Sequence, residues 1–113
     1  MKQFIVPLIG THFSVYVGEK EWEKWRKDIL SRLDADDKMD PFEGEKKCPG
    51  PGNGRCIAAC IWVYEPTLNL VLHEACHCVD QIVEHIGAKG IEFPAYIGEY
   101  VHATLLKHLK LVK

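Results

Sequence analysis

The chain has 113 residues, 14 Lys and Arg against 16 Asp and Glu, a formal charge of −2 and 47% hydrophobic side chains. These values describe one globular domain over residues 1–113, with room for a single modest core. They exclude an electrostatic case for nucleic acid or an acidic membrane as partner, and no apolar run reaches the length of a membrane-spanning helix.

Residues 1–7 lack the apolar core and small-residue cleavage site of a signal peptide, so the expected compartment is the cytoplasm. Residues 4–9 and 12–17 are β-branched and aromatic, with Gly10-Thr11 between them, and predict two strands. Pro7 assigns the first to an edge or a bulge. The acidic start at 19–23, followed by Trp22, Trp25, Ile29 and Leu33, predicts a helix to about Arg32 with its aromatic face inward. Residues 34–55 read as a loop, first acidic and then rich in turn residues, without the register of a calcium loop.

Residues 56–65 predict one third strand. Pro66-Thr67 then open a helix, with Thr67 as N-cap and Asn69 competing. Gly87 and Gly90 break the chain, and a last helix runs to about Leu111 with Pro94 in its first turn. The expected fold class is α+β: a small sheet of about three strands packed against three helices, the second of them central. Five cysteines leave at least one thiol unpaired, and a reducing compartment predicts that all five are reduced and structural.

The chemistry concentrates in His73-Glu74-Ala75-Cys76-His77, an H-E-x-x-H pattern. From Leu72 to Ile86 there is no Pro or Gly, and Leu72, Ala75, Cys76, Val79, Ile82, Val83 and Ile86 recur at helical spacing. On a helix, an i, i+4 pair stacks both imidazoles on one face, where they supply half of a tetrahedral zinc site. Glu74 then reaches a metal-bound water as general base. Asp80 and Glu84 share the histidine stripe and are expected to orient an imidazole N–H. Cys78, Gln81 and His85 point away and read as surface positions. The competing reading is a surface helix carrying two solvated histidines.

A third ligand has to come from elsewhere. The metzincin pattern would place Gly at position 80 and His at position 83, where this chain has Asp80 and Val83. Glu92 and Glu99 of the last helix are the candidates, and His102 is a weaker one.

From Leu70 to Asp80, then Ile86-Gly87, then Glu92-Phe93-Pro94-Ala95-Tyr96-Ile97-Gly98-Glu99-Tyr100, the chain resembles small zinc metallopeptidases encoded by tailed phages and prophages. Their pattern is H-E-x-x-H-x-x-D, a short glycine-containing loop, and E-x-x-A-Y-x-x-x-Y, and they look like minimal relatives of the gluzincin-type peptidases. The likeness covers about the C-terminal half; Pro94 and the cysteines at 76 and 78 depart from it. It implies one Zn2+ held by His73, His77 and Glu92, Glu74 as general base, and a protein or peptide substrate in a bacterial or phage-infected cell.

A second oxyanion donor would be Tyr96 or Tyr100. In such peptidases the strand before the motif helix is an edge along which substrate pairs, which implies Ile57, Cys60 and Trp62 as substrate-binding residues here. The rival expectation is a non-catalytic, zinc-stabilised binding or inhibitory protein, its closed site completed by a cysteine, Asp80 or Glu84. Structural zinc does not require Glu74, which favours the enzyme.

Overall fold

The computed structural model describes residues 1–7, 9–32, 45, 47–87 and 92–111, the side chains of 92 and 93 excepted. Four strands and three helices follow in the order β1 (Lys2–Ile5), β2 (His12–Val17), α1 (Glu19–Arg32), β3 (Gly54–Ile57), β4 (Cys60–Val63), α2 (Leu68–Ile86) and α3 (Glu92–His108). The class is α+β, with one strand more than expected. The acidic stretch over 34–40 lies outside the described residues.

The sheet order is β1-β2-β4-β3. β1 pairs antiparallel with β2, β2 parallel with β4, and β4 antiparallel with β3. α1 packs on β2 and β4, while α2 packs on β3, β4 and α3. Both faces of the middle strands are therefore covered, which is why all four residues of β4 are buried and read as a continuous apolar run.

Each face has its own core. On the α1 side, Trp22 packs tilted against Trp25 and edge-to-face against Trp62, with ring centroids 5.1 and 4.6 Å apart, together with Tyr16, Ile29 and Cys60. The indoles are anchored as well as packed: Trp25 Nε1 donates to Cys60 O at 2.9 Å and Trp62 Nε1 to Gly18 O at 2.8 Å. Tyr16 Oη donates to Asp28 at 2.6 Å, and burial together with that bond pushes the phenol pKa up. On the other side Phe13, Val15, Ile61 and Val63 meet Val71, Ala75, Cys78 and Ile82 of α2 and Ile97, Val101 and Leu105 of α3.

The expected strand over 56–65 is a hairpin. Ile57 faces Cys60 across a two-residue turn of Ala58 and Ala59, with φ of 51° and 60°. Positive φ at both central residues is the geometry that suits a tight hairpin, but it normally takes Asn-Gly. Each alanine pays roughly 1–2 kcal/mol to adopt it. Gln81 holds the turn: its Oε1 accepts from Ala59 N–H at 2.7 Å and its Nε2 donates to Cys56 O at 2.8 Å. The turn signal was invisible because neither alanine is a turn residue.

Gln81 is thus no surface position, and Cys78, at 0% exposure, is core. Cys76, expected in the apolar face, is exposed. The reason is that α2 packs against two neighbours, the sheet along Val71, Ala75, Cys78 and Ile82, and α3 along Val79. The buried arc is centred nearer the sheet than apolar spacing alone implied. All five cysteines are free thiols.

The clamp predicts that Gln81→Ala lowers unfolding free energy by about 2 kcal/mol, since a buried turn donor and acceptor lose their partner. Ala58→Gly is expected to raise it by roughly 0.5 kcal/mol, relief of the positive φ exceeding the extra chain entropy. Urea denaturation midpoints of the two variants check both signs.

Candidate metal centre

α2 begins after Thr67, whose extended backbone (φ −87°, ψ 151°) makes it the N-cap, although its hydroxyl makes no capping bond. The helix ends at Gly87, which takes φ 70° and donates its N–H back to the last turn. Between these ends an unbroken helix delivers His73 and His77 to one exposed stripe. Their Nε2 atoms lie 3.3 Å apart, with the rings edge to face. Two imidazoles on one tetrahedral zinc at 2.0–2.1 Å have a nitrogen separation of about 3.4 Å, so the pair already has the bite of a chelate.

Glu74 stands in a different environment. Its side chain is 5% exposed where that of His73 is 67% exposed, and its Oε1 lies 3.8 Å from His73 Nε2. Its Oε2 is buried and, among the described residues, has no hydrogen-bond partner. Desolvation raises the Glu74 pKa from its ordinary value, against opposing pulls from His73, His77 and Arg55. His73, Glu74 and His77 form a group whose ligand atoms all lie within 4.8 Å of one another.

What lets a charged side chain sit there is Gly54 on β3. A Cβ at that position would lie 2.9 Å from Glu74 Cγ, 3.0 Å from Leu70 Cδ1 and 3.2 Å from the Trp62 carbonyl oxygen. The edge strand approaches α2 over this glycine and covers the glutamate. Sequence reasoning missed Gly54, which looked like one more loop glycine in a turn-rich stretch.

The other expected residues are distributed as follows. Asp80 and Glu84 are exposed, and among the described residues neither hydrogen-bonds to an imidazole. The Tyr96 hydroxyl donates to Pro7 O at 3.3 Å, in the β1–β2 connection, and Tyr100 packs edge-on to Phe13. Cys60 and Trp62 are fully buried on β4, an interior strand paired on both sides. They face the α1 core, so an extended peptide cannot pair along them. The sheet's edge strands are β1 and β3, and the one beside α2 is β3, Gly54–Ile57.

α3 runs antiparallel to α2: Cys76 Sγ lies 3.8 Å from His102 Nε2, and Gly98 approaches Val79. Glu99 is exposed and nearly level with Val79. The backbone of Glu92 begins α3 six residues before Gly98, roughly 12 Å along the helix axis from the level of His77 at 1.5 Å per residue. The Glu92 side chain itself lies outside the described residues. Compared with protein-family models, with curated proteins and with solved structures, the chain matches none.

Two outcomes follow from this geometry. Gly54→Ala should cost about 1–3 kcal/mol of stability by overpacking β3 against Glu74, with a shift of the His73 and His77 ring resonances as the local readout. Because the folded pKa of Glu74 is raised, its favourable contribution is full below the unfolded pKa and is lost as pH rises through the folded value. The stability of the metal-free wild type relative to Glu74→Gln should therefore fall across that window, which paired denaturation curves at successive pH values would register.

Proposed function

We propose that the protein is a zinc-dependent metallopeptidase, a minimal zincin-like domain that hydrolyses peptide bonds with Glu74 as general base. The observation that carries this reading is Glu74 itself. A buried carboxylate with one unpartnered oxygen is costly unless something gives it a partner. Its neighbours are two imidazoles spaced to share one ion. Solvated histidines would need no such carboxylate beside them, and a purely structural ion would leave its burial unexplained.

His73 and His77 would hold the ion through Nε2. Of the two carboxylates expected as third ligand, helix register favours Glu99 over Glu92, because Glu99 stands within one turn of His77 along the α2 axis. Zinc, when bound, supplies Lewis acidity that acidifies water and polarises a peptide carbonyl. Glu74 takes the proton from the attacking water and passes it to the leaving amine. Desolvation raises its pKa, which strengthens it as the base that takes the proton. Cover from β3 and Leu70 keeps bulk water off its far oxygen. An extended protein or peptide substrate would pair along the edge of β3, beside Gly54 and Arg55. Resemblance to the phage and prophage enzymes supplies the cellular setting of this proposal, the cytoplasm of a bacterial or infected cell.

Incubating a proteome-derived peptide mixture with zinc-loaded protein and reading new termini by mass spectrometry tests the reaction. Glu74→Gln should cut cleavage about 10²–10⁴-fold while zinc stays bound. Equal cleavage by wild type and Glu74→Gln would remove Glu74 from the chemistry. A structural role for zinc makes the opposite forecast: Glu74→Gln would be tolerated and His73→Ala would fail to fold.

A further inference from the structure

A cavity of about 390 Å3 opens beyond the metal centre, lined by Gly10, Thr11, His12, Arg32, Ala58, Ala59, Gln81, Ile82 and His85. Its size falls within the range of small-ligand pockets. It lies where the start of β2, the end of α1, the β3–β4 turn and the last turns of α2 meet. On α2, Gln81 and His85 follow His77 by one and two turns, so the cavity is centred on the order of 10 Å along the axis from the histidine pair. It is a separate place.

The lining is chemically one-sided. Arg32, His12 and His85 come from three different elements, and among the described residues no carboxylate lines the cavity with them. The Arg32 guanidinium is fixed by a bond from Nη1 to Cys60 Sγ at 2.8 Å, so it is held in place instead of sweeping solvent. Imidazoles donate a hydrogen bond in either protonation state. Thr11 and Gln81 add short polar groups. Arg32 and His85 each occupy the last turn of a helix, which cations favour in any protein. That accounts for each singly, but not for their convergence with His12 on a cavity.

A second observation lies in the cavity wall. Ala58, exposed and at φ 51°, and Ala59, at φ 60°, hold the strained turn against it. The Ala59 methyl is buried in the core, which explains that side chain. Ala58 has no such account: glycine would relieve the strain, yet a methyl is kept on the cavity wall. Unrelieved backbone strain of this kind collects at ligand sites.

We propose that this cavity binds a small molecule through an oxyanion, a phosphate or a carboxylate, with Arg32 as the charged anchor and His12 and His85 as flanking donors. The guanidinium fork suits either group, presenting parallel N–H donors to two oxygens. Ala58 sets the width of the wall, and Gln81, committed to the turn, keeps that wall in place.

The test is a titration of the full chain with inorganic phosphate in one arm and succinate in the other, followed by amide chemical shifts in about 100 mM chloride so that diffuse attraction is screened. The proposal expects saturable shifts in at least one arm, confined to 10–12, 58–59 and 81–85. Arg32→Gln should weaken binding at least about tenfold, a loss of roughly 1.4 kcal/mol, and His77→Ala should leave it unchanged. The arm that saturates identifies the group. Two results overturn the proposal: no saturable shift with either probe, or equal affinity in wild type and Arg32→Gln. Because His77→Ala abolishes the proposed zinc chelate and leaves this cavity intact, the two assignments stand or fall separately.

Discussion

The arrangement depends on one close approach, that of β3 to α2 over Gly54. It brings a strand edge within van der Waals contact of Glu74 Cγ and Leu70, and so buries a carboxylate at the surface end of an otherwise apolar seam. The energetics run against it. A buried, half-satisfied carboxylate is destabilising, and the same desolvation raises its pKa. Nothing in the packing of the core requires a charged residue there, since Ala75, Cys78 and Ile82 already fill the interface with the sheet. The exposed side of the same helix turn carries His73 and His77, whose nitrogens converge. Burial and converging imidazoles meet in one turn of the helix, and His73, Glu74 and His77 together could hold a metal ion.

The rest of the fold serves that seam. The three indoles and Tyr16 fasten α1 to one face of the sheet, and α2 with α3 close the other. Covering both faces turns β4 into an interior strand, and the edge next to α2 is left to β3, four residues long. The Ala58-Ala59 turn sets the register of that edge, and Gln81 ties it back to the same helix that carries the histidines. A displacement of the hairpin would therefore be felt at Glu74 through α2 at two points, Gly54 at one end of the strand and Gln81 beyond the other.

Much of this was legible from residue type and spacing. The aromatic periodicity of α1, the β-branched run of β2 and the unbroken motif helix all agree with the observed elements. What was not legible had physical reasons. A hairpin built on two alanines carries no Gly or Asn, so residues 54–63 read as loop followed by one strand. The Cys76 and Cys78 assignments exchanged places because a helix with two packed neighbours has a wide apolar arc, and a charged residue, Glu74, sits inside it. Cys60 and Trp62 looked like an edge because strand order cannot be read from alternation when both faces are covered. Within the site, His73, Glu74 and His77 were readable from spacing alone, whereas Gly54 was not, since its role exists only once two distant segments touch. The antiparallel register of α3 against α2 likewise appears only in three dimensions.

The most direct test of the central claim is a Co2+ titration of reduced, metal-free protein followed by its visible absorption, which reports both stoichiometry and four-coordinate geometry. Wild type should take up one equivalent with an intense tetrahedral band that one equivalent of Zn2+ displaces. His73→Ala and His77→Ala should lose it, Glu74→Gln should keep it, and Glu99→Ala should weaken it more than Glu92→Ala does. Absence of binding in wild type, or binding unchanged in both histidine variants, would contradict the account and leave the motif as two solvated histidines beside a buried carboxylate.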